Sequence, residues 1–207
     1  MIYTGAESGS QETLDLVNKG GTQTPERILD FARRIREYGI VPEFSFVFGS
    51  PGKDIDKHIE HDVNFIRKIK EINPASEIII YIYAPVLLPG AQLFELTVKH
   101  GFRFPETLDQ WISPAWQTFD LRKSSMTPWL KARQVRKVRN FERVLNASYP
   151  TLTDLKITET RKKLLRWISN WRYKLRFYAA PFEVRFILSK VMKYRQPEIE
   201  GAPQYQS

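Results

Sequence analysis

Apolar positions recur along this chain with two different periods, and their alternation predicts short strands separated by helices. Ile2 to Gly5 is a brief apolar piece that runs into Gly5-Ala6-Glu7-Ser8-Gly9-Ser10, the end of a strand and its turn. Gln11 to Lys19 sets Leu14, Leu16 and Val17 in a helical pattern and stops at Gly20-Gly21. Thr24-Pro25-Glu26 starts a second helix, because Thr can cap, Pro suits the first helical position and an acid comes next. Ile28, Leu29, Ala32, Ile35 and Tyr38 make its apolar face, and Gly39 ends it. Pro42 to Gly49 (PEFSFVFG) reads as a buried aromatic strand, with a turn at Gly49-Ser50-Pro51-Gly52. Asp54 to Glu71 is a helix with Ile55, Ile59, Val63, Ile66 and Ile69 on its inner face, broken by Asn73-Pro74. Glu77 to Ala84 (EIIIYIYA) is the third strand, too uniformly apolar for a solvent face, and Pro89-Gly90 leads into a helix over 91–100.

Strands alternating with helices predict an α/β fold with parallel strands and right-handed crossovers. Three strands cannot close a barrel, so the first edge, near Met1, is expected to lie unpaired, as if a half were missing. After Gly101 the texture changes. Pro105 to Trp116 is aromatic and irregular, Pro128 to Leu145 and Ile157 to Tyr178 are long basic amphipathic helices, and Pro181 to Tyr194 is another helix. The expected organisation is an α/β unit over 1–104, a basic helical extension over 105–195 and a disordered tail over 196–207.

Composition narrows the chemistry. At 42% hydrophobic and 13% aromatic the chain is globular in type, and it contains no cysteine. Disulfides, thiolate metal sites and Cys-held clusters are therefore excluded within it. The N-terminus lacks the basic and apolar regions of a secretory signal, and the Ile78–Ala91 run is too short and too interrupted to span a bilayer, so a cytoplasmic location is expected. The net charge of +9 hides an asymmetry: residues 1–121 carry −5, residues 122–195 carry +16.

Gly5-Ala6-Glu7-Ser8-Gly9-Ser10, Phe46-Val47-Phe48-Gly49-Ser50-Pro51-Gly52 and Tyr83-Ala84-Pro85, in that order, resemble segments of the radical S-adenosylmethionine (radical SAM) superfamily, nearest its subgroup with an N-terminal cobalamin-binding domain. Gly5-Ala6-Glu7-Ser8-Gly9-Ser10, with Leu14 and Lys19-Gly20, resembles the fourth strand and turn of those barrels. Phe46-Val47-Phe48-Gly49-Ser50-Pro51-Gly52 is similar to the fifth-strand end, with Lys53 where the family usually has Glu. Tyr83-Ala84-Pro85 looks like the sixth strand, and Pro89-Gly90-Ala91-Gln92-Leu93-Phe94 looks like the segment after that strand. Pro105-Glu106-Thr107-Leu108-Asp109-Gln110-Trp111 and Thr127-Pro128-Trp129 resemble the subgroup's C-terminal region.

The resemblance implies the C-terminal half, three strand–helix units, of a partial parallel barrel that binds S-adenosylmethionine. It further implies a parent enzyme with a four-iron, four-sulfur cluster on a Cys-x-x-x-Cys-x-x-Cys loop, and cobalamin as a possible second cofactor. That loop is absent here, so the chain is expected to be inactive alone. By resemblance Glu7 and Ser8 would meet the ribose hydroxyls, Phe48, Gly49 and Pro51 would lie under the nucleoside, and Tyr83, Ala84 and Pro85 would face the adenine. Strand C-termini are where barrel folds hold ligands. A missing N-terminal half carrying the cluster is the implied partner, as a truncated piece or as the other chain of a split enzyme.

No Ser/His/Asp set or phosphate-binding glycine loop stands out, and no catalytic residue is assigned. His58, Glu60 and His61 read as a solvated helix face rather than a metal site. The basic helices leave three readings open. Arg161, Lys162, Lys163, Arg166, Arg172, Lys174 and Arg176 alternate with Leu164, Leu165, Trp167, Ile168, Trp171, Tyr173 and Phe177. This suits helices packed on the barrel with a cationic outer face, a non-enzymatic module that docks on an anionic membrane through 157–178, or one that meets nucleic acid.

Overall fold

A computed structural model of the chain describes residues 1–17, 21–83, 90–117, 127–150 and 158–191. It is a mixed α/β structure built on a small parallel sheet. Strands β1 (Ile2–Glu7), β2 (Pro42–Phe48) and β3 (Glu77–Ile82) lie in the order β1-β2-β3. Helices α1 (Gln11–Val17) and α2 (Pro25–Glu37) connect the first pair, and α3 (Ile55–Ile72) connects the second. Thr24 caps α2 through its side chain, with Pro25 in the first turn, and Asp54 caps α3.

The α/β alternation expected from the sequence is present; burial on both faces is not. Phe44, Phe46 and Phe48 of β2 and Ile78, Ile80 and Ile82 of β3 are buried, whereas Ser45, Val47, Ile79 and Tyr81 between them are only half-buried. The Phe-Ser-Phe-Val-Phe alternation of β2 carries this period of two, which the high total apolarity of the strand conceals. The buried face joins one core with Ile28 and Ala32 of α2, and with Ile59 and Ile66 of α3. Phe31 and Phe65 meet Phe44 and Phe46 edge-on, with ring centroids 6.0 and 6.2 Å apart.

Beyond β3 come α4 (Gln92–Lys99), α5 (Leu108–Trp111) and α6 (Pro114–Gln117). The last two replace the irregular stretch expected over 105–116. Thr107 and Gln110 form a capping box that folds even this short segment. The basic region then supplies α7 (Ala132–Ser148), α8 (Glu159–Lys174) and α9 (Phe182–Phe186), which continues as a π-helical turn to Val191. Helix α7 starts later than the expected Pro128. Its Val135, Val138 and Phe141 enter the same core as the sheet, so extension and sheet share one apolar interior. The expected tail over 196–207 lies outside the described residues.

Part of the C-terminal positive charge is used inside the fold. Arg139, Arg143, Lys162 and Arg172 are buried. Arg139 donates to the Ile80 carbonyl at 3.1 Å and pairs with Glu142 at 2.7 Å. From α3, Arg67 donates to the Tyr173 carbonyl at 2.6 Å and to the Tyr178 hydroxyl at 2.8 Å, with its guanidinium 4.4 Å above the Tyr173 ring. Charges in such positions need partners to offset desolvation, and these have them.

A cleft at the carboxyl ends of the strands

The Gly5–Ser10 segment ends β1 with a sharp change of direction. Its register against β2 shifts between Gly5 and Glu7, a local bulge. Glu7 sits at φ 60°, a left-handed conformation uncommon outside glycine, and the Ser8 amide donates back to the Ala6 carbonyl at 2.7 Å. On the outer edge of β1, Gln23 donates to the Gly5 carbonyl at 2.7 Å.

Asp62 of α3 holds the turn from below. Its Oδ1 accepts from the Ser8 hydroxyl at 2.7 Å and from the Gly9 amide at 2.8 Å, and the Ser8 Oγ accepts from the Ser10 amide at 3.0 Å. Burial pushes the Asp62 carboxyl up from 3.8 to about 6, against the opposing pull of its bonds from Ser8 and Gly9. His61, on the same helix, bonds the Gly9 carbonyl through Nε2 at 2.9 Å. Gly9 is required by proximity: a Cβ there would lie 2.2 Å from Cγ of Phe65.

The second loop leaves β2 at Gly49, which takes φ 85° and lies against Leu130. Trp129 donates its indole N–H to the Gly49 carbonyl at 3.0 Å, and its ring lies 5.8 Å from both Tyr83 and His100. Tyr83 is buried, with its hydroxyl 3.1 Å from that of Thr97.

Beside the second loop lies a cleft of about 310 Å³, with Asp62 in its lining. Leu16, Val47, Ile59 and Leu96 give it apolar surface, while Glu12, Lys53, His58 and His100 bring charge or imidazole to it. Gly49, Ser50, Pro51 and Gly52 form one wall. The Ser50 hydroxyl is buried there without a hydrogen-bond partner among the described residues. The volume is at the small end of the ~300–1,000 Å³ range typical of small-molecule sites.

The residues expected at a site therefore divide. Gly49 and Pro51 line the cleft. Phe48 is a core residue, 1% exposed, directly before it. Ser8 is fully buried, with its hydroxyl engaged by Asp62, and Glu7 is half-buried beside it; neither is part of the cleft wall. Tyr83 is buried against Trp129 and is not part of the cleft wall, and Ala84 and Pro85 lie outside the described residues.

No protein-family profile and no curated protein matches this chain.

Sequence reading missed Thr13, Asp62 and Leu96 at the cleft, and the contact of Trp129 with Gly49. For Asp62 a signal existed: it stands three residues after Ile59 and four before Ile66, beside Val63 on the inner face, and an acid on that apolar face calls for a buried partner. His61 and Glu60 are exposed as expected of a solvated face, while His58 is half-buried at the cleft. Among the described residues, no three His, Cys, Asp or Glu side chains come together as a metal's ligand set, and no helix is long and apolar enough to cross a membrane.

Proposed function

We propose that this chain is the nucleoside-binding half of a radical SAM-type barrel, and that its strand-end cleft takes the adenosyl portion of S-adenosylmethionine. The observation that carries the reading is the position of the cleft, at the carboxyl end of β2, with Gly49–Lys53 as its wall and Glu12, Thr13 and Leu16 of α1 in its lining. Its chemistry fits a nucleoside in part. Val47, Ile59 and Leu96 offer an apolar surface to a base, and the partnerless Ser50 hydroxyl offers a bond to a polar ligand atom. Glu7, at the strand end in a conformation that costs on the order of 1 kcal/mol, is within the segment that resembles the family's ribose-binding turn.

An iron–sulfur cluster does not fit this chain, because the sequence supplies no thiolate. Reductive chemistry would have to come from a cluster-bearing partner or segment. The half-buried sheet face of Ser45, Val47, Ile79 and Tyr81 is compatible with such a completing half, since parallel sheets are otherwise covered on both sides.

Titration calorimetry with S-adenosylmethionine and adenosine tests the cleft. Dissociation constants on the order of 0.1–1 mM are expected, because only part of the ligand would be enclosed. Leu96→Trp, which fills the cleft, should weaken binding about tenfold or more while circular dichroism stays unchanged. No heat with either ligand at millimolar concentration, or binding indifferent to Leu96→Trp, would overturn the proposal.

A further inference from the structure

Helix α8 has two sides of different character. Leu165 and Ser169 face the interior, with Leu165 packed against Ala147, Val184 and Leu188. On the opposite side, Leu164, Trp167, Trp171 and the C-cap residue Leu175 fall within about 80° of one another at the 100° per residue of an α-helix. This stripe is exposed: Trp167 is 78% and Leu175 72% accessible. Phe177 continues it, stacked on Trp171 at 6.0 Å, and Phe182 and Phe186 stand exposed one turn apart on α9. The turn that carries them is fixed. Arg172 pairs with Glu183, donates to the Ala179 carbonyl at 2.8 Å and lies 4.9 Å over the rings of both Trp171 and Phe177.

Charge surrounds this apolar band. Residues 158–191 hold nine Lys and Arg against Glu159 and Glu183. Arg161, Lys163, Arg166, Lys174 and Arg176 are exposed, and in the helical wheel Arg161 flanks the stripe on one side while Lys163 and Lys174 flank it on the other. Exposed apolar bands of this extent mark surfaces that are covered in use.

We propose that the α8–α9 hairpin docks the protein on an anionic phospholipid surface. Trp167, Trp171 and Leu175 enter the boundary between headgroups and acyl chains, and the flanking Lys and Arg heads meet lipid phosphates. A bilayer accounts for both parts of the surface. Nucleic acid would engage the cations and stack on a Trp, but it gives Leu164, Leu175 and Phe186 nothing comparable. The proposal is independent of ligand binding at the strand ends.

Co-sedimentation of the full chain with vesicles tests it. The protein should bind vesicles containing phosphatidylglycerol and stay in solution with phosphatidylcholine alone, and binding should weaken several-fold at about 0.5 M salt. The double variant Trp167→Ser, Leu175→Ser should bind about tenfold more weakly or worse, with unchanged circular dichroism because both side chains are exposed. Lys163→Gln with Lys174→Gln should also weaken binding and should reduce its salt dependence. Absence of binding to phosphatidylglycerol vesicles overturns the proposal, as does equal binding to phosphatidylcholine. Binding that the Trp167 and Leu175 changes leave intact overturns it too. A labelled DNA duplex that displaces the protein from vesicles and binds the double variant equally well would reassign the surface to nucleic acid.

Discussion

The Ser8 hydroxyl donates to Asp62 Oδ1 at 2.7 Å, tying the end of the first strand to the helix after the second across 54 residues of sequence. The carboxylate also accepts the Gly9 amide and is 5% exposed. It fixes the turn and itself lines the strand-end cleft.

Asp62 makes stability depend on pH in an unusual direction. Its folded-state carboxyl is raised from 3.8 to about 6, so between those values the folded protein holds a proton that the unfolded chain has lost. Stability from this group is therefore greatest below pH ~4, falls as pH rises to ~6, and is reduced by roughly 3 kcal/mol above that. Urea denaturation from pH 3.5 to 7 should show this slope, and Asp62→Asn should flatten it while keeping an oxygen for Ser8 and Gly9. Asp62→Ala should instead cost about 2–4 kcal/mol at neutral pH, because two buried donors lose their acceptor.

Gly9 is a packing requirement. Its φ lies outside the left-handed region, but a Cβ would stand 2.2–2.7 Å from three atoms of Phe65. Gly9→Ala should lower stability by about 1–3 kcal/mol through overpacking. In a double-mutant cycle with Phe65→Leu, the two changes should together cost less than their sum. Additive costs would show that the turn moves away from Phe65 instead.

The Arg172–Glu183 pair holds the bend between α8 and α9. Arg172 Nη2 donates to Glu183 Oε2 at 2.8 Å, a second bond joins Nε to Oε1, and the hydrogen bonds from Arg172 keep the Glu183 carboxyl below its usual value. A lowered folded-state value means that the pair contributes above the ordinary Glu range and is lost as pH falls through it. Arg172→Lys should not restore the bend, since one ammonium cannot make the paired contact and also reach the Ala179 and Ala180 carbonyls. Hydrogen exchange should show faster amide exchange at 175–188 in Arg172→Lys and Arg172→Ala alike.

Much of the framework was legible along the chain. The 3.6-residue spacing of Ile28, Ala32 and Ile35, the Thr24-Pro25 start and the Asn73-Pro74 stop each act within a few residues, and the structure keeps all of them. The strands were legible for the same reason, though the two faces of β2 had to be read from its alternation rather than its total apolarity. The strand-end loops were recognisable as turns from Gly5, Gly9, Gly49 and Gly52, yet nothing local distinguished a glycine needed for its φ from one needed for its size.

What the sequence alone determined, then, is the order and type of the strands and longer helices, the lack of thiolate chemistry and the basic character of the C-terminal helices. Tertiary structure decided which of those cations are buried, that Asp62 meets Ser8, that Trp129 closes on Gly49, and that Trp167 and Leu175 remain outside. The division has a physical cause. Helix and strand periods arise from contacts between near neighbours, whereas burial of a charge or exposure of a tryptophan depends on which distant surface packs against it.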